Sequence, residues 1–155
     1  MIDLHRILVP TDFSKYSQTA LTYAAAFAEK FEAELYLLHV VQNLALVITD
    51  IIPVEPSLLP SLDQMSAAVD VAFDRLIHEN RLQDRKVQRA LREGTPFYEI
   101  ICFARETDID LIVMGTHGHS GLAHVLLGSV TEKVVRKAPC PVLTVRHPEH
   151  EFVHP

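Results

Sequence analysis

Asp110–Lys137 reads DLIVMGTHGHSGLAHVLLGSVTEKVVRK, and the order of its parts decides the fold. Leu111-Ile112-Val113-Met114 is a short unbroken apolar run, the pattern of a strand covered on both faces. Gly115, Gly118 and Gly121 follow, residues that permit positive φ and close approach of the backbone. Gly128 then precedes Ser129-Val130-Thr131-Glu132, a capping-box pattern opening a helix. Lys133, Arg136 and Lys137 gather toward the end of that helix, in agreement with its dipole, and Pro139 stops it. The stretch is a strand, a glycine-spaced loop and a helix start whose amides and partial positive charge suit an anion. Ser129 and Thr131 add hydroxyls expected to reach phosphate oxygens or a magnesium shell.

Outward from this unit, the same alternation repeats. Ile7-Leu8-Val9 is a buried-strand run ending at Pro10, and Ser14 is a reasonable N-cap for the next segment. There Ala20, Leu21, Ala24, Phe27, Ala28 and Phe31 keep helical spacing, and Glu34 to Val41 is a second strand. Leu62, Met65, Val69, Ala72, Phe73, Leu76 and Ile77 predict a helix over 62–81. Val87 to Leu91 is a weaker strand. Gly94 then turns the chain, Thr95 caps, and Pro96 takes the first helical position of a helix reaching Glu106. Pro141 to Val145 is the fifth strand. Strands alternating with helices imply parallel pairing, right-handed crossovers and helices on both faces. The expectation is one doubly wound, open parallel α/β sheet. Residues 42–61 break the pattern: Pro53, Pro56 and Pro60 stand in an apolar stretch without period, read as a flap or partner contact, or else a variable surface insertion.

Composition narrows the class. The chain has 155 residues, 48% of them hydrophobic and 22% charged, the balance of a globular domain. No uninterrupted apolar window is long enough for a membrane span, and the N-terminus lacks a signal-peptide pattern, so the expected location is cytoplasmic. A net charge of −6 without a basic patch disfavours nucleic-acid binding. A phosphate must then be held locally, by backbone amides, a helix end or a metal. Cys102 and Cys140 read as reduced, mostly buried thiols rather than a redox pair.

In open parallel sheets ligands sit beyond the carboxyl ends of the strands, near the switch in strand order. The loop after the first strand, Pro10-Thr11-Asp12-Phe13-Ser14, has no glycine and carries an acid. It therefore suits a ribose or an adenine amine better than a phosphate, unless Asp12 merely caps the first helix. The loop after the fourth strand, 115–131, is the phosphate candidate.

Gly115-x2-Gly118-x9-Gly128-Ser129 matches at every defined position the nucleotide-binding pattern of the universal stress protein family, which the chain resembles over essentially its whole length. Ile7-Leu-Val-Pro-Thr-Asp12, Leu37-Leu-His-Val40, Gly94-x-Pro96, Asp110 to Gly115 and Ala138 to Val145 are similar to the family's flanking segments. The resemblance implies strand order 3-2-1-4-5, a Rossmann-like sheet of the adenine nucleotide alpha hydrolase type, and a homodimer. It also implies the ATP-binding branch. Residues matching Pro10, Thr11 and Asp12 would lie near adenine and ribose, and the backbone at Val40 would read adenine. Met114 belongs to the ATP-binding set, and Gly115, Thr116, His117, Gly118, His119, Ser120 and Gly121, with Gly128, Ser129, Val130 and Thr131, would hold the phosphates, with Mg2+ or Mn2+ bound through them and no metal ligand from side chains. His119 stands where the family often carries Lys or Arg, and a protonated His119 would supplement the cradle, raising affinity as pH falls through about 6.5. A metal site at His117, His119 and His124 is the weaker alternative. His147, His150 and His154 are assigned to a disordered tail, with the domain itself spanning 1–147 and the tail 148–155.

Three functions compete on these residues. The preferred one is an ATP-binding dimeric sensor or regulator in stress adaptation. The second is a slow ATPase, disfavoured because neither a Walker A lysine nor an evident base is present. The third is a partner-binding scaffold with a vestigial nucleotide site, its client unspecified by the sequence. The apolar last strand, Val142-Leu143-Thr144-Val145, is the expected dimer edge.

Overall fold

The structure, a computed structural model, describes residues 1–42, 62–117 and 127–148. Among them, five strands alternate with four helices: β1 (Arg6–Pro10), α1 (Lys15–Phe31), β2 (Glu34–Val41), α2 (Leu62–Glu79), β3 (Val87–Glu93), α3 (Pro96–Glu106), β4 (Leu111–Gly115), α4 (Ser129–Lys137) and β5 (Val142–Val145). All pairings are parallel and the strand order is β3-β2-β1-β4-β5. The order reverses at β1, so the crevice between the β1 and β4 ends is the switch point.

The apolar run of β1 has the burial expected of a central parallel strand: Ile7, Leu8 and Val9 are fully buried. Its pleat sends Ile7 and Val9 to one face, with Leu35, Leu37, Ala20, Leu21, Ala24, Phe73 and Leu76. Leu8 faces the other way, with Leu38, Ile112, Met114, Ile100, Phe103 and Val134. Thus α1 and α2 cover one face, α3 and α4 the other. Leu21, in α1, is 1% exposed, and its burial contributes roughly 1.5–3 kcal/mol relative to exposure.

Helix starts show where residue type and role part company. Ser14 caps α1 as expected, accepting from the Ser17 amide. Gly94 turns at φ 148 and Pro96 opens α3, but Thr95, at the N-cap position, makes no side-chain cap bond. The capping box at 129–132 is displaced by one residue. Gly128 is the N-cap, Ser129 is the first helical residue, and the Glu132 amide donates to the Gly128 carbonyl at 2.9 Å. Gly128 has no side chain to cap with, so the first turn of α4 lacks a side-chain cap.

The two thiols are free and half-buried, less covered than their composition suggests. Burial, aided by the Asp110 carboxylate, pushes the Cys140 thiol up, which makes it a poor nucleophile. His147 is not in a tail: it packs edge-on against Tyr16 of α1, ring centroids 5.4 Å apart. His150, His154 and the 43–61 part of the insertion lie outside the described residues. No helix among the described residues is long and apolar enough to cross a membrane.

Candidate functional site

The carboxyl ends of β1, β2 and β4 bring Pro10, Thr11 and Asp12, Val40, and Met114 to His117 to one end of the sheet, and α4 returns Gly128 to Thr131 to it. Gly118, His119, Ser120 and Gly121 lie outside the described residues, as does His124.

The loop after β4 is closed at its stem. The Gly128 amide donates to the Thr116 carbonyl at 2.7 Å, and the Thr131 hydroxyl donates to the Gly115 carbonyl at 2.9 Å. The Thr116 amide is held in turn by the Val145 carbonyl. These bonds revise two expectations. Thr131, buried, uses its only hydroxyl proton inside the fold and has none to give a phosphate. Gly128 spends its amide on Thr116, leaving the amides of Ser129, Val130 and Thr131 as the helix-start donors that can face a ligand.

Gly115 and Gly128, the described glycines of this loop, serve close approach rather than positive φ. A Cβ on Gly115 would lie 3.0 Å from the Tyr16 carbonyl oxygen and 3.2 Å from that of His117. One on Gly128 would lie 3.1 Å from the Thr116 carbonyl oxygen. Met114 belongs to the core and His117 is also buried, its Nδ1 3.0 Å from the Thr116 hydroxyl and its ring beside Tyr16.

The loop after β1 is also tied internally. Ser17 donates its hydroxyl proton to the Ser14 carbonyl, so the Thr11 hydroxyl, 3.1 Å away, is the donor to Ser17 Oγ. Thr11 Oγ1 accepts from the Phe13 amide at 3.0 Å, and Asp12 Oδ1 accepts from the Ser14 amide at 3.0 Å. Asp12 thus forms an Asx turn ahead of the helix, while Ser14 makes the cap. Phe13 sits at φ 61, a left-handed conformation rare for an aromatic residue.

Alternate residues of β2 address opposite neighbours. The Leu35 amide donates to Lys86 and the Val41 carbonyl accepts from Gly94, on the β3 side. The Glu34 amide donates to His5 and the Leu38 carbonyl accepts from Thr11, on the β1 side. Val40 therefore turns its main-chain groups toward β1, one step past the last β1–β2 pair, Pro10 with Leu38. That places an amide and a carbonyl at the carboxyl ends of β1 and β2, beside the crevice, as base recognition by a backbone edge needs.

Two residues escaped sequence reasoning. Asp110 Oδ2 accepts from the His5 and Arg6 amides at 2.8 Å each, tying the start of β1 to β4. His39 bonds the Thr11 carbonyl at 2.8 Å. Neither signal is local, since their partners lie far off in the sequence. A surface cavity of about 200 Å³, lined by Phe13, Gln18, Ala72, Arg75, Leu76 and Glu79, lies against α2 and away from the α4 helix start.

Comparison with known proteins agrees with this arrangement. Residues 4–146 match the Universal stress protein family. The chain is 36% identical over 146 residues to universal stress protein MJ0531 of Methanocaldococcus jannaschii, covering 94% of this chain and 84% of that protein. The solved structure of MJ0577, from the same organism, is 31% identical, with a TM-score of 0.80, 96% of this chain and 99% of that one covered. The fold is shared, at 23% and 21% identity and TM-scores of 0.68 and 0.63, by a universal stress protein solved in complex with cAMP and one from Archaeoglobus fulgidus solved with dAMP. These matches cover 94% and 93% of this chain and 98% of each of those. With a family match across nearly its full length and the same five-stranded order, the chain belongs to the universal stress protein family.

Proposed function

We propose that this protein binds ATP, with Mg2+ or Mn2+ held through the phosphates, and that the bound nucleotide sets the state of a cytoplasmic homodimer acting in stress adaptation. The observation that carries the reading is the first turn of α4, which has no side-chain cap and is fastened to the carboxyl end of β4 by the Thr131–Gly115 and Gly128–Thr116 bonds. Amides fixed in place cost no reorganisation when an anion arrives, and an acidic chain needs such a local attraction.

Adenine would lie along the Val40 edge and the ribose beside Asp12, with Pro10 and Thr11 shaping the near wall. The triphosphate would run past Met114 to His117 toward Ser129, Val130 and Thr131. Gly118, His119, Ser120 and Gly121 complete the cradle by pattern. Residues 1–147 form the binding unit. Its dimer partner adds at β5, Val142 to Val145.

ATP is taken here as a ligand rather than a consumed substrate because the sequence carries neither a Walker A lysine nor an evident base. Phosphate release with ATP and magnesium tests this. The expected rate is well under about one turnover per second, low in the enzyme range. A faster rate that falls when Asp12 is replaced by Ala would convert the reading to an ATPase.

A further inference from the structure

His39 lies at the carboxyl end of β2, between the two strand ends that flank the proposed base site. Its Nδ1 is 2.8 Å from the Thr11 carbonyl oxygen. A carbonyl only accepts, so Nδ1 carries the proton whatever the state of Nε2. The ring is fixed from the side as well. Phe13 lies against it, centroids 4.8 Å apart, and Phe13 in turn meets Phe73 of α2 edge-on at 5.2 Å. The left-handed turn at Phe13 is what brings that ring back over β2.

The position of this bond in the ladder gives it a consequence. The Thr11 amide donates to Leu38, so the next rung of a parallel ladder would run from the Val40 amide to the Thr11 carbonyl. That rung is not formed, and the Thr11 carbonyl meets the imidazole instead. We infer that His39 is a positioning residue for base recognition: by holding the Thr11 carbonyl, it ends the β1–β2 ladder one rung early and keeps the Val40 main-chain edge turned to an adenine ring. The inference rests on the adenine-nucleotide reading above and adds a determinant of base choice to it.

The test titrates ATP and GTP, each with magnesium, into the wild-type protein and into His39→Leu, His39→Asn and His39→Gln, with thermal melting of each. An Asn amide nitrogen reaches the place of Nδ1, whereas a Gln amide reaches that of Nε2. His39→Leu is expected to lose about tenfold in ATP affinity, the effect of roughly one net hydrogen bond, and to narrow the preference for ATP over GTP. His39→Asn restores both and His39→Gln does not. Equal rescue by Asn and Gln overturns the inference. So does an ATP-to-GTP preference that stays at the wild-type value in His39→Leu, since lost stability alone weakens both nucleotides together. Should His39→Leu fail to fold, the Asn and Gln pair decides. A wild-type protein that binds neither nucleotide overturns the underlying reading, and the inference with it, in an arm that involves no His39 variant.

Discussion

Thr131 stands where a hydroxyl could serve either a ligand or the fold, and its proton goes to the Gly115 carbonyl, 2.9 Å away. Thr131→Val keeps the shape and removes the donor, leaving a carbonyl at the stem of the loop unpaired. The expected cost is about 1–3 kcal/mol by urea denaturation, with Thr131→Ser close to wild type. An unaltered midpoint in Thr131→Val would show that the stem bond contributes nothing. Single residues were also the least legible scale in the sequence. The spacing Ser-x-x-Glu at 129–132 has the letters of a capping box, yet Gly128 takes the cap because the loop arrives one residue earlier than the motif requires. His39 and Asp110 look like ordinary strand-end residues until their partners, 28 and more than 100 positions away in the chain, come alongside.

Elements were legible where burial is two-sided. Ile7-Leu8-Val9 and Leu111 to Met114 have apolar runs because α-helices cover both sheet faces, and β2 occupies Glu34–Val41 as its pattern reads. The edge strand β3 reaches Glu93, past Leu91, at which its pattern ends because Arg89, Arg92 and Glu93 interrupt the apolar run at the sheet margin. Those charges also blunt that edge against pairing, whereas β5 carries none. In β5 the Pro141 and Val145 carbonyls bond β4, so the Thr144 amide points away from the sheet. Thr144→Pro therefore removes an outward donor and leaves the β4–β5 ladder intact, a placement edge strands tolerate. The expected outcome by analytical ultracentrifugation is a monomer that still melts cooperatively. A dimer of unchanged stability would rule out association through this edge.

At the scale of the whole molecule, the doubly wound topology followed from the alternation of periods, and β1 became the switch point because the later strands add on its other side. The site was half legible. Glycine spacing singled out the loop after β4 as the proposed phosphate loop. It could not tell which amides serve the loop's own closure and which remain for a ligand, because that division depends on Thr116, Val145 and Gly128 meeting across the stem. The central claim is that backbone donors after β4 hold a triphosphate on a molecule of net charge −6. Calorimetric titration of ATP with magnesium into the purified, nucleotide-free protein tests it most directly. The account predicts one ATP per chain and loss of that binding in Gly118→Val with the thermal midpoint unchanged. Absence of binding at millimolar ATP, or a Gly118→Val protein that binds as the wild type does, would contradict it.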